Sequence, residues 1–130
     1  MARIDELFHY LKQNKGSDLH LAAALEPRIR VQLGLVLQGV VAQILIPRKD
    51  GEGRVAAREV MINTPAIANL IRENKTFQIK SVLQTGATHG MCLLDASLAE
   101  LVKTKVITRE EAQRNADEPQ RFAPAAGDRS

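Results

Sequence analysis

Closely spaced helix-start signals constrain the second half of this 130-residue sequence. Thr64 stands directly before Pro65, and a hydroxyl N-cap followed by proline is typical of a helix start, because the first helical N–H has no intrahelical partner. Thr108 stands three residues before Glu111, which is the spacing of a capping box. These signals, with the apolar patterns that follow them, predict a helical domain from Asn63 to Ala116.

Each predicted helix in this domain carries apolar residues at helical spacing, which gives it a face to bury. Two further N-caps are predicted at Thr76 and Asp95. The predicted inward residues are Ile67, Leu70, Ile71, Phe77, Ile79, Val82, Leu83, Leu98, Leu101 and Val102. Aromatic residues make up only 3% of the chain, so the core must be mainly aliphatic, which suits packed helices.

The first half of the chain has mixed apolar patterns. These patterns predict a helix over residues 4–11, short strands over 18–21 and 27–31, a helix over 33–45 that Pro47 ends, and a strand over 54–62. From Asp117 onward, proline, alanine, glycine and charged residues dominate, which predicts disorder. The fold class that follows is α+β and predominantly helical, beginning with a short helix and a pair of strands.

The glycine spacing provides no phosphate-binding loop in this sequence. Such a loop has the pattern G-x-x-x-x-G-K-[ST], in which backbone N–H groups and the lysine bind phosphate and the hydroxyl holds magnesium. Gly34 and Gly39 have the required spacing, but Val40 and Val41 stand where lysine and serine or threonine are needed, and no other glycine precedes a lysine. We therefore predict that the chain is not an enzyme.

Few residues are candidates for catalysis or metal binding. Asp18 and His20 share one face of a predicted strand, where an acid–base or metal pair is conceivable. Metal sites need three or four ligands, so polar residues on a solvated strand face, or at a subunit contact, are the favoured interpretation. Cys92 lies between Met91 and Leu93, an apolar setting typical of an inert thiol. We predict no catalytic residue, no metal site and no cofactor.

Composition and charge exclude further classes of function. The net charge of +3 comes from 18 basic and 15 acidic residues, and the few aromatic residues do not alternate with a basic stripe, so nucleic-acid binding is not predicted. The longest apolar run, Val31 to Ile46, is too short and too polar to span a bilayer. The N-terminus lacks the pattern of a signal peptide, and the single cysteine fits a cytoplasmic location.

Several sequence segments carry a family resemblance. They are Ser17-Asp18-Leu19-His20-Leu21, Pro27-Arg28-Ile29-Arg30-Val31, Lys75-Thr76-Phe77-Gln78-Ile79, Leu83-Gln84-Thr85-Gly86 and Ile107-Thr108-Arg109-Glu110-Glu111-Ala112. Together they resemble the first and last parts of the type IV pilus retraction ATPases, the twitching-motility (PilT-type) branch of the secretion ATPases. In that family, a core that binds ATP and magnesium lies between the two parts, and its motifs are absent here.

The resemblance implies a division of the chain into four parts. Residues 1–31 would be a remnant of the PAS-like N-terminal domain, and residues 32–62 a remnant of the end of the ATPase domain. Residues 63–116 would be the helical C-terminal domain, and residues 117–130 a disordered tail.

One segment resembles a motif that the family associates with retraction and not with nucleotide hydrolysis. The family motif is Ala-Ile-Arg-Asn-Leu-Ile-Arg-Glu, and residues 66–73 match seven of its eight positions, with Ala68 in place of the first arginine. The implied interaction surface consists of Ala66, Ile67, Asn69, Leu70, Ile71, Arg72 and Glu73. Helical periodicity places the three aliphatic residues after Ala66 inward and the polar residues outside. The pattern alone favours a routine amphipathic helix.

The resemblance implies a function of binding without catalysis. The chain is interpreted as a truncated, non-catalytic relative of the retraction ATPase that acts as an interaction or dominant-negative subunit. Its implied partners are full-length retraction ATPase subunits or the inner-membrane pilus platform protein, which would place it in the cytoplasm or at the periphery of the inner membrane. The alternatives are a free-standing interaction module of the pilus or type II secretion machinery, and an inert product of a decayed gene.

Overall fold

The computed structural model describes residues 26–123 of the chain. In chain order, the elements are α1 Pro27–Val36, β1 Gly39–Pro47, β2 Arg54–Ile62, α2 Pro65–Arg72, α3 Ile79–Thr85, α4 Leu94–Lys103 and α5 Arg109–Asn115. Short 3₁₀ helices cover Thr76–Gln78, Gly86–His89 and Pro119–Phe122. The predicted fold class, α+β and predominantly helical, is confirmed. The helix predicted over 4–11 and the strand over 18–21 lie outside the described residues.

The two strands form an antiparallel hairpin that runs from the pair Gly39↔Ile62 to the pair Pro47↔Arg54. At the connecting turn, the Asp50 carboxylate accepts the N–H of Glu52 at 2.9 Å. Gly53, with a φ of 81°, provides a left-handed backbone conformation that a residue with a Cβ rarely adopts. One face of the hairpin is buried against the helices, and the opposite face is open.

Two predictions for the first half are wrong. The predicted helix over 33–45 is divided between the end of α1 and strand β1, and the predicted strand over 27–31 is the first part of α1. In β1, apolar residues occupy both faces, so the period-2 alternation of a half-buried strand is lost and the pattern imitates a helix. In α1, the alternation from Arg28 to Val31 imitates a strand. Leu33 within the helix and Leu37 at its C-cap, four residues apart, nevertheless pack against the core.

Two clusters of buried side chains form the core. The first joins β2 to α2, α3 and the loop before α4: Met61, Ile67, Ile71, Ile79, Leu83, Met91 and Leu93. The second joins the hairpin to α4, α5 and the last 3₁₀ helix: Ile46, Ala57, Leu98, Ile107, Ala112 and Phe122. The helix-rich region therefore packs on one face of the sheet.

Two of the four predicted N-caps are confirmed. Thr64 accepts the N–H of Ile67 at 3.4 Å, and Thr108 accepts the N–H of Glu111 at 3.2 Å. Thr76 is not a cap, since it begins a 3₁₀ helix whose N-cap position makes no side-chain bond.

Asp95 is not an N-cap either. It lies inside the first turn of α4, where the N-cap position is Leu93.

Two further residues differ from the prediction. Phe77, expected in the core, is 77% exposed, because it lies in the short 3₁₀ turn before α3 and not within the helix. Disorder is predicted for residues 117–130, but over the described part of that range, 117–123, the structure has a 3₁₀ helix at Pro119–Phe122, and Phe122 is buried in the second core cluster. Residues 124–130 lie outside the described residues.

Candidate functional site

The residues of the retraction-like segment separate into buried and exposed sets on α2. Ile67 and Ile71 are fully buried, and Leu70 is half-buried at the margin of the first core cluster. Asn69 and Arg72 are exposed on the outer side of the helix. The predicted division into an inward aliphatic face and an outward polar face therefore agrees with the structure.

The exposed polar residues of α2 are joined by a chain of hydrogen bonds. The Arg72 guanidinium donates to Asn69 Oδ1 at 2.8 Å, and Asn69 Nδ2 donates to Glu73 Oε1 at 3.1 Å. Lys75 Nζ lies 2.8 Å from the other carboxylate oxygen of Glu73. The hydrogen bond from Lys75, supported by that from Asn69, holds the pKa of Glu73 below its usual value. We call this set, Asn69, Arg72, Glu73 and Lys75, the α2 polar network.

Backbone geometry fixes the end of α2 where this network lies. The N–H of Glu73 bonds to the carbonyl of Asn69, and the N–H of Lys75 bonds to the carbonyl of Leu70 at 2.8 Å. Between them, Asn74 adopts the left-handed conformation with a φ of 59°. This is a common way to terminate a helix, and asparagine tolerates it better than most residues. The termination places Glu73 and Lys75 in their pairing positions.

Helix α1 covers the side of α2 that carries Ala68, the residue at which the retraction-like segment departs from the family motif. A Cβ added at the buried Gly34 would lie 3.0 Å from the carbonyl oxygen of Ala68 and 3.4 Å from the side-chain stem of Arg72. Asn63 anchors the end of α1, because its amide donates to the carbonyls of Gly34 and Leu37 at 2.9 and 2.7 Å. The position at which the family has arginine is therefore half-buried below α1 in this chain.

An open groove runs beside the α2 polar network, between α2 and α3. Its volume is about 620 Å³, and it is lined by Ala66, Asn69, Leu70, Gln78, Ser81, Val82 and Thr85. Three of these residues come from the predicted surface, and the four from Gln78 onward were not predicted as site residues. The α3 residues could not be found from the sequence motif, because it is the packing of α3 against α2 that forms the groove.

The groove combines an apolar floor with a polar rim. Leu70 and Val82, which pack against the first core cluster, form the floor. The amides of Asn69 and Gln78 and the hydroxyl of Ser81 supply donors and acceptors but no strong nucleophile or general base. These groups can form hydrogen bonds with a bound group, and the floor can bury an apolar one.

The other candidate residues do not form a site in the described part of the chain. Asp18 and His20 lie outside it. Cys92 is half-buried, and its backbone exchanges hydrogen bonds with Val60 at 2.8 and 3.0 Å, so its position extends the sheet edge. Over residues 26–123, no group of three or more histidine, cysteine, aspartate or glutamate side chains could hold a metal ion. In the same range, no helix is long and apolar enough to cross a membrane.

A cluster of charged groups lies at the start of α4. The Glu59 carboxylate accepts the N–H of Leu94 at 3.2 Å, and Lys80 Nζ lies 3.1 Å from the Asp117 carboxylate. Partial burial, with a contribution from the nearby charges of Asp117 and Asp95, raises the pKa of Glu59. Burial alone would lower the pKa of Lys80, but its hydrogen bond and attraction to Asp117 outweigh this and raise it.

The raised pKa of Glu59 predicts a pH-dependent effect of Glu59→Gln. Because the folded state favours the protonated carboxyl, its contribution to stability is present at acid pH and is lost as pH rises through the folded pKa. Glutamine can still accept the Leu94 N–H without becoming charged, so the stability of the variant relative to the parent should increase from about pH 4 to about pH 7. Urea unfolding midpoints at both pH values measure this.

Glu52→Gln, in the exposed hairpin turn, is the matched control, since the side chain of Glu52 is exposed. It should change the midpoint equally at the two pH values. The same behaviour from Glu59→Gln would contradict the prediction.

Comparisons with known proteins place these features in a family. The chain is 50% identical over 94 residues to the type IV pilus retraction ATPase PilT of Pseudomonas aeruginosa, an alignment that covers 72% of this chain and 27% of that protein. It is 49% identical over 88 residues to a twitching motility protein of Neisseria gonorrhoeae, covering 68% of this chain and 24% of that protein. No protein-family model matches the sequence.

The fold gives the same relationship. A crystal structure of the pilus retraction motor PilT with bound ADP matches with a TM-score of 0.65 and 33% identity, over 78% of this chain and 29% of that one. The Legionella pneumophila ATPase DotB matches with a TM-score of 0.55 at 15% identity, over 73% of this chain and 27% of that one, which shows a shared fold only.

The chain spans about a quarter of the length of the curated relatives that it matches. Within that span, half of the aligned residues are identical, and the arrangement of helices and strands is shared with a solved retraction motor. Over the part that it shares with them, the chain therefore belongs to the family of the PilT-type type IV pilus retraction ATPases.

Proposed function

We propose that this chain is a non-catalytic binding component of the type IV pilus retraction machinery, and that it engages a full-length retraction ATPase subunit. The observation that carries the proposal is the α2 polar network, which is exposed, internally hydrogen-bonded and next to an open groove.

The α2 polar network has the properties of a recognition surface. Arg72 and Glu73 present opposite charges in fixed positions, and charge complementarity at an interface mainly sets orientation and partner choice. The hydrogen bonds to Asn69 already order these side chains in the free protein. Less conformational entropy is therefore lost on binding than for flexible surface charges. The neighbouring groove can accept a partner's side chain against Leu70 and Val82.

The non-catalytic half of the proposal rests on the sequence. No glycine pattern in the 130 residues can form a phosphate-binding loop, and the helix starts at Thr64 and Thr108 give only weak attraction for an anion. In this proposal, ATP binding and hydrolysis belong to the full-length partner subunit.

The proposal predicts that the purified chain captures a full-length PilT-type ATPase and does not itself bind ATP with magnesium. Arg72→Ala and Glu73→Ala should each weaken capture by about fivefold or more, as expected for interface residues worth over about 1 kcal/mol. Both side chains are exposed, so circular dichroism and the melting temperature should stay close to those of the parent. Biolayer interferometry with the immobilised ATPase, and calorimetric titration with ATP, provide the measurements.

Arg109→Ala, which removes an exposed arginine on α5, is the matched control and should leave capture unchanged. Equal capture by the parent, Arg72→Ala and Glu73→Ala proteins would contradict a role for the α2 polar network. No capture by the parent would favour the inert product, and capture of the inner-membrane platform protein alone would favour the free-standing module. Saturable, magnesium-dependent ATP binding at micromolar concentration would overturn the non-catalytic assignment.

A further inference from the structure

Strand β1 has an edge that no described segment covers. The sheet has two strands, and the far edge of β2 is occupied where Val60 pairs with Cys92. In the part of the chain that the structure describes, no strand pairs with the far edge of β1. Val41 and Leu45 are 67% and 57% exposed, which is unusual for two large aliphatic residues on one strand.

The hydrogen-bond pattern of the hairpin shows which backbone groups lie on this edge. The N–H of Arg48 bonds to the carbonyl of Gly53, its partner in the register that continues along the strands. Hydrogen-bonded and non-hydrogen-bonded pairs alternate along an antiparallel ladder. Like Arg48, the even-numbered residues of β1 bond to β2, and the odd-numbered residues direct their N–H and carbonyl groups away from β2. These include Val41, Gln43 and Leu45.

The edge of β1 carries few of the features that keep natural sheet edges apart. Edge strands are commonly protected by charged side chains, internal proline or a bulge. None of the nine residues of β1 is charged, its one proline is the last residue, and its pairing with β2 continues without a bulge. The nearest charged side chain along the chain is Arg48, beyond the strand end.

The edge is also complementary to itself. Gln43 is the central residue of β1, so a twofold axis through it places the strand antiparallel to that of a second copy along its whole length. Val41 then lies opposite Leu45 of the other copy, and the side-chain amides of the two Gln43 residues lie next to each other. All three residues present outward backbone groups, so about six backbone hydrogen bonds form across the axis.

We infer that β1 is a homodimerisation edge, at which two copies of this chain pair antiparallel about Gln43 into one four-stranded sheet. The exposed side chains of Val41 and Leu45 become cross-strand apolar pairs on one face, the arrangement that stabilises neighbouring strands. A twofold interface of this kind uses the same patch on both copies and closes on itself. The α2 polar network lies on a different element, so the inference is independent of the proposed function.

The test is the mass of the purified chain in solution as a function of concentration, measured by sedimentation equilibrium. We expect the mass to rise from that of one 14.3 kDa chain toward that of two over the micromolar range. Gln43→Lys places like charges against each other across the axis and should raise the dimer dissociation constant at least tenfold. Gln32→Lys, the same substitution on the exposed side of α1, should leave it unchanged.

A charge-reversal pair makes the test specific to the edge. Gln43→Glu alone should weaken the dimer in the same way as Gln43→Lys alone, and mixing the two variants should restore the dimer. A parent chain that is monomeric up to several hundred micromolar would overturn the inference, and edge amides protected from hydrogen exchange in that monomer would show that the chain's own remaining residues or another contact covers β1. Dimers of unchanged affinity in both Gln43 variants would overturn it as well.

Discussion

Ile71→Ala is expected to lower the free energy of unfolding by about 2–5 kcal/mol, the range for truncating a fully buried isoleucine. Ile71 has no exposed surface and packs in the cluster that joins α2 to α3 and β2. Removing its outer carbons leaves a cavity that α2 cannot fill, since α1 packs on another side of the same helix. Urea unfolding followed by far-ultraviolet circular dichroism gives the change in free energy.

Leu70→Ala is the matched control for this effect. Leu70 is the neighbouring aliphatic residue but is half-buried on the floor of the groove, so its truncation should cost clearly less than that of Ile71. Helical periodicity alone places both residues in the core and cannot rank them. Equal destabilisation by the two variants would show that the groove beside Leu70 is closed in solution.

Local signals in the sequence were sufficient where the structure depends on neighbouring residues. The caps at Thr64 and Thr108 each bond to an N–H three residues ahead, within reach of a sequence pattern. Asp95 has the same capping chemistry, but its carboxylate accepts N–H groups from residues 22 and 23 positions later. No local pattern contains that partner, so only the fold shows the role of Asp95.

The same distinction between local and distant contacts applies to the candidate site. The outward position of Asn69 and Arg72 follows from the period of an α-helix, and the structure agrees. The groove depends on the position of α3. The burial of Ala68 depends on α1, a segment for which the alternation from Arg28 to Val31 predicts a strand. These features are determined by tertiary packing, which the propensities of single segments do not contain.

Asp95→Ala is expected to destabilise the protein by about 2–4 kcal/mol, because it removes the acceptor for two backbone donors at once. Asp95 is 5% exposed, and its two carboxylate oxygens accept the N–H groups of Asp117 and Glu118 at 2.9 and 3.0 Å. These bonds hold the chain entering the last 3₁₀ helix, whose Phe122 fills part of the second core cluster. Loss of Asp95 should therefore also release Phe122.

Two measurements and a matched variant separate this anchoring role from a general charge effect. Hydrogen exchange at the amides of Arg121 and Ala123, which are bonded within the last 3₁₀ helix, should become much faster in Asp95→Ala than in the parent. Asp117→Ala removes the partly exposed ion pair with Lys80 but keeps the backbone N–H that Asp95 binds, so it should cost less than about 1 kcal/mol. Equal losses in urea unfolding for both variants would mean that the ion pair, and not the buried carboxylate, holds this segment against the core.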